Sequence, residues 1–68
     1  METEYAMLTT ADADFHLIPE GADMVRRRCS KGMWLTTVDG RMVNPALVVS
    51  IWTPSQHEVE QFMEDVNA

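Results

Sequence analysis

The sequence predicts a small α+β domain: an antiparallel meander of three or four strands with one C-terminal helix packed on one face. Three observations predict it. An Asp39-Gly40 turn sits between strand-forming residues, a two-faced apolar run extends from Leu47 to Trp52, and Thr53-Pro54-Ser55-Gln56 opens a segment with apolar residues at helical spacing. The 68 residues make a single domain, because chains divide only well above this length. With 46% hydrophobic and 24% charged residues and a net charge of −6, the composition is that of a folding chain and not of a solvated polyelectrolyte. Ordering costs about 1.5 kcal/mol per residue, so a core this small leaves little surplus. A staple is expected. The single cysteine, Cys29, excludes an intramolecular disulfide and points to a reducing, cytoplasmic setting, which leaves a metal, a second copy or a partner.

Residues 5–8 and 15–18 are short apolar segments separated by a turn-rich stretch, and Pro19-Glu20-Gly21 ends the second. Residues 24–29 read either as a strand closed by Ser30-Lys31-Gly32 or as a short helix from Asp23 capped by Gly32; the strand is preferred because that turn leads directly into a hairpin. In the hairpin, a two-residue Asp39-Gly40 loop sets Val38 opposite Arg41, Thr37 opposite Met42 and Thr36 opposite Val43. One face then holds Trp34, Thr36, Val38 and Val43, and the other Met33, Leu35, Thr37 and Met42. Asn44-Pro45 ends the pairing, and the next strand sets Leu47, Val49 and Ile51 against Val48 and Trp52 on the opposite side. For the helix, Thr53 is the expected N-cap, Pro54 the first helical residue and Gln56 the capping-box partner. Its buried stripe is Val59, Phe62, Met63 and Val66, and its outer face His57, Glu60, Gln61, Glu64 and Asp65.

Charge is sorted in blocks. Residues 1–25 carry acids and no base for a net of −6; residues 26–43 carry Arg26, Arg27, Arg28, Lys31 and Arg41 against Asp39 for +4; residues 44–68 carry −4. Either the basic centre folds against the acidic ends, or an acidic face stays open to a basic partner. Glu64 and Asp65 fall in the last helical turn, where the helix dipole disfavours acids by about 0.3–1 kcal/mol each, and no lysine or arginine follows Arg41. Glu60, Glu64 and Asp65, with Glu58 in the first turn, are therefore the candidate partner-binding residues. The arginine-flanked hairpin, with Arg26, Arg27, Arg28 and Arg41, is the secondary candidate surface.

Catalytic chemistry is not expected. Cys29 or a serine would need His16 or His57 and a third group, and no nucleophile elbow, phosphate loop or paired-histidine zinc motif occurs. Cys29, His16 and His57 lie in separate segments with no close ligand pair, and Asp12 and Asp14 lack the later glycine and glutamate of a calcium loop. Neither a metal nor a cofactor is expected. Arg26, Arg27, Arg28, Lys31 and Arg41 sit around the expected hairpin, where they could track phosphates, yet the net charge of −6 disfavours direct nucleic-acid binding. The acidic opening Met1-Glu2-Thr3-Glu4-Tyr5 is unlike a signal peptide, and no apolar run is long enough to span a membrane.

The stretch Ile51-Trp52-Thr53-Pro54-Ser55-Gln56-His57-Glu58 resembles the Trp-x-Pro-Ser/Thr-x-x-Glu strand-to-helix junction of small proteins encoded by phages and prophages. The resemblance rests on these eight of the 68 residues. It implies an accessory protein, some small acidic examples of which inhibit host enzymes or CRISPR complexes. The resulting expectation is a non-catalytic, anti-CRISPR-like inhibitor or accessory factor in the host cytoplasm that contacts a basic, nucleic-acid-handling surface of a host protein. The alternative is a small structural or assembly subunit acting as a homo-oligomer. A homodimer is expected, because strands with two apolar faces need two covers.

Overall fold

The two apolar segments near the N-terminus become the centre of the structure. The computed structural model describes residues 4–67, with side chains through Asp65, so the Val66 side chain of the expected stripe lies outside the described residues. β1 (Ala6–Thr10) and β2 (Phe15–Ile18) form an antiparallel hairpin, and β5 (Val48–Trp52) pairs with the other side of β1, giving the order β2-β1-β5. β3 (Leu35–Thr36) and β4 (Met42–Val43) form a separate antiparallel pair. Two helices, α1 (Ala22–Ser30) and α2 (Gln56–Asn67), complete an α+β fold. No helix among the described residues is long and apolar enough to cross a membrane.

Alternation along β1 sorts the sheet into two faces. On one, Ala6 and Leu8 join Ile18 of β2 and the partly buried Val48 and Ile51 of β5. α1 covers this face with Ala22, Val25 and Cys29 at spacings of three and four, and Leu35 and Val43 close the same cluster. On the other face Met7 and Leu17 are buried side by side, and Phe15 meets Trp52 edge to face with centroids 6.2 Å apart. Both faces thus carry buried apolar side chains, as the two-sided strand pattern requires.

The segment at residues 24–29 is helix and not strand. Helix-ending chemistry overrides the preference for a strand: Gly32 lies at φ +71°, the Gly32 amide donates to the Cys29 carbonyl at 3.1 Å, and the Met33 amide donates to the Arg28 carbonyl at 2.9 Å. That pair of bonds is a Schellman motif. Asp23 in the first turn and Arg27 and Arg28 in the last also suit the helix dipole. α1 is accordingly the helix that packs on β1 and β5, while the main core cluster holds none of the described side chains of the expected C-terminal helix.

The hairpin register differs by one residue from the expected one. Leu35 pairs with Val43 and Thr36 with Met42, because the loop has three residues, Val38, Asp39 and Gly40, and not two. The Gly40 amide donates to the Thr37 carbonyl at 3.1 Å and the Thr37 amide to the Arg41 carbonyl at 2.8 Å, while Gly40 sits at φ +84°. This is a type I turn followed by a left-handed bulge residue. The slip moves Val43 onto the face of Leu35, and both are buried. β5 also departs from plain alternation: Thr9 pairs with Ser50 and Thr10 with Val48, which leaves Val49 as a bulge. Val48 and Ile51 therefore both face the core, and Val49 is 69% exposed. The 3₁₀ turn at Pro45–Leu47, started by the Asn44 side chain accepting from the Ala46 amide at 3.0 Å, carries β5 across to β1 and away from the hairpin it follows.

The β1–β2 turn repeats the hairpin's chemistry. The Ala13 amide donates to the Thr10 carbonyl at 2.9 Å and the Thr10 amide to the Asp14 carbonyl at 3.1 Å, with Ala13 at φ 65° in the place that Gly40 takes in the other loop. In each loop a buried threonine hydroxyl, Thr10 or Thr37, donates to the aspartate two residues on, Asp12 or Asp39. Those hydroxyls are the leading reason that both carboxyls are held below the ordinary aspartate range.

Candidate binding surface

α2 begins two residues later than its expected cap. Ser55, and not Thr53, is the N-cap: its hydroxyl accepts from the Glu58 amide at 3.1 Å, and the Ser55 amide donates to the Glu58 carboxylate at 3.2 Å. This reciprocal pair is a capping box with glutamate in the role expected of Gln56. The Trp52 indole N–H also donates to Glu58, at 3.4 Å, tying the helix start to the end of β5. The bond from the Ser55 backbone, followed by that from Trp52, lowers the Glu58 carboxyl below the usual glutamate range. Glu58 is thus committed to holding the junction of strand and helix, and the candidate face reduces to Glu60, Glu64 and Asp65.

Those three side chains are exposed. Glu60 accepts from the Gln56 amide group at 3.3 Å, and among the described residues none of the three pairs with a cation. Three of the four arginines are engaged elsewhere. Arg26 pairs with Asp23 at 3.1 Å, Arg28 with Glu20 at 2.7 Å and Arg41 with Asp39 at 3.2 Å. The basic centre therefore folds against acids just before it or in its own turn, and the C-terminal acids lie outside these pairs. Exposed pairs of this kind contribute about 0–1 kcal/mol each. Arg28 with Glu20, only about one third exposed on both sides, is the best ordered by geometry. Of the secondary candidate surface, Arg27 alone has no carboxylate partner among the described residues.

Cys29 is half-buried against the core, and burial pushes its thiol up from the ordinary value. The arginines before it do not activate it. Among the described residues no group of three or more His, Cys, Asp and Glu side chains converges as a metal site would.

Two features lie beyond the sequence reading. Met33, Trp34 and Met42 are each about half exposed around the hairpin, and Leu47 and Val49 are exposed at the start of β5. The only sequence signal for them was the second apolar face of each strand. A groove of about 870 Å³ also runs between α1 and α2, with Met24 and Arg27 on one wall, Val59 and Glu60 on the other, and Tyr5 and Pro54 between them. The groove exists because residues 22–30 form a helix and not the expected strand. The fold and surface define a small α+β domain with an acidic helical face. Compared with protein-family models, curated proteins and solved structures, the chain matches none.

Proposed function

We propose that this chain is a non-catalytic binding protein, an anti-CRISPR-like inhibitor or accessory factor of phage type, working in the host cytoplasm. Its α2 face, centred on Glu60, Glu64 and Asp65, contacts a basic, nucleic-acid-handling surface of a host protein. One observation carries the reading: Arg26, Arg28 and Arg41 pair locally, while the acids of the last turn of α2 have no cation among the described residues to offset an unfavourable helix dipole. A basic partner supplies that offset, and complementary charge also speeds encounter.

The experiment is capture of host proteins from lysate by the wild-type chain, by Glu60→Lys with Glu64→Lys and Asp65→Lys, and by the Glu64→Lys, Asp65→Lys pair alone. Wild type recovers one stoichiometric nuclease or polymerase component, the variants lose it, and their melting temperature holds or rises. Unchanged capture by a folded triple variant removes this face from the site. The second reading, a homo-oligomeric assembly subunit, is favoured by the exposed Met33, Trp34, Met42, Leu47 and Val49. Self-association with no host protein recovered selects it.

A further inference from the structure

We infer that the groove between α1 and α2 seats a second copy of this chain, the two copies being related by a two-fold axis that runs along the groove. The walls differ in sign. The α1 wall presents Met24, 46% exposed, with Arg26 and Arg27; the α2 wall presents Gln56, Val59 and Glu60. Asp23, also on the α1 side, is spent on Arg26, and Glu4 borders the groove beside Tyr5. A two-fold operation exchanges the walls, so α1 of each copy lies against α2 of the other. Arg27, which has no carboxylate partner among the described residues, then meets the partner's Glu60, and the contact occurs twice. Any arrangement that set α2 against α2 would oppose Glu60 and Glu64 to their own copies. The self-complementary arrangement is the one that joins opposite charges.

Apolar contact accompanies the charge. Met24, Val59, Tyr5 and Pro54 line the groove, and a flexible methionine beside a tyrosine suits an adaptable anchor. A standard interface buries about 600–1,000 Å² per partner. Set against the chain's 4727 Å² of accessible surface, that is a share two short helices can supply. The inference deepens the homo-oligomer reading, at a surface other than the exposed Met33, Trp34, Met42, Leu47 and Val49, and overlaps the host-partner face at one residue. Glu60 belongs to both surfaces, so the host partner is judged on the Glu64→Lys, Asp65→Lys pair and the dimer on Arg27 and Glu60.

The test is sedimentation equilibrium of the purified full chain at micromolar concentration and physiological salt. Wild type sediments at twice its 7.7 kDa mass. Arg27→Glu and Glu60→Arg, both at exposed positions, each weaken the dimer about tenfold or more while melting as folded proteins. Mixing the two variants restores a dimer, because every cross-copy contact in the mixed species again joins opposite charges. A wild-type monomer overturns the inference. So does a dimer indifferent to both substitutions, or a mixture of folded variants that stays monomeric.

Discussion

Ala13 occupies a left-handed backbone position that the chemically matching loop gives to Gly40, so Ala13→Gly and Gly40→Ala should move stability in opposite directions. Ala13 lies at φ 65° and Gly40 at φ 84°, each closing the same type I turn and bulge. Holding an L-residue there costs about 1–2 kcal/mol, and introducing glycine returns about 0.5–1 kcal/mol of that through the freedom it adds to the unfolded chain. Ala13→Gly should therefore gain about 0.5–1 kcal/mol net, which in a domain of this size raises the melting temperature by about 2–8 °C. Nothing lies within 4 Å of a Cβ built on Gly40, so the loss in Gly40→Ala is conformational and not steric. It should amount to about 1 kcal/mol and lower the midpoint by about 4–8 °C. Thermal melting followed by circular dichroism, on both variants in one buffer, reads the result. If Ala13→Gly lowers the midpoint, or Gly40→Ala leaves it unchanged, the two loops are not the equivalent turns described above.

Other outcomes follow from the packing and titration of the fold. Ser55→Ala removes the α2 cap and should cost about 1 kcal/mol, read as a lower urea midpoint with unchanged slope. Asp12, Asp39 and Glu58 all have folded carboxyl values below the ordinary 3.8 and 4.5, so their stabilisation is complete above those values and is lost as pH falls through the lower folded ones. Acid titration of the melting temperature should fall in that window, and Thr37→Val, which removes the leading cause of the Asp39 shift, should shrink the fall. Leu35→Ala, at a side chain 1% exposed, should cost about 2–5 kcal/mol and leave little or no cooperative transition. The Cys29 thiol, raised by burial, should react with a disulfide reagent near pH 8 more slowly than a free cysteine; reaction at the free rate would place it outside the core.

The features read directly from the sequence are those set by short-range chemistry. The Asp39-Gly40 turn, the break at Asn44-Pro45 and the C-terminal helix all appear, because turn and cap residues act on neighbours a few positions away. Register was not legible. A two-residue and a three-residue loop both use Asp-Gly, and the choice turned on burying Leu35 with Val43, a tertiary preference. The same holds for Val49, whose bulge brings Val48 and Ile51 to one side against the alternation of the string. For α1, Gly32 can serve either as a helix-ending residue or as part of a turn into the hairpin, and the two Schellman bonds that decide between them form only once the helix has packed. Of the candidate surface, the exposure of Glu60, Glu64 and Asp65 follows from helical spacing alone. The tethering of Glu58 to Ser55 and Trp52 depends on which residue becomes the cap, a difference of two positions that spacing does not resolve.

β5 ends the three-stranded sheet, and its sequence, Val48-Val49-Ser50-Ile51-Trp52, is rich in β-branched and aromatic residues and has neither lysine nor proline. Such an edge is a template on which further chains add as strands, the first step toward fibres. Two devices stand against that growth: the Val49 bulge interrupts a straight ladder, and the Arg26 guanidinium donates to the Ile51 carbonyl at 3.3 Å, occupying an acceptor that an incoming strand would use. Arg26 therefore acts as a gatekeeper of solubility as much as a surface charge. Its loss would be felt first in how long a concentrated solution stays clear, at a temperature where the individual molecules are still folded.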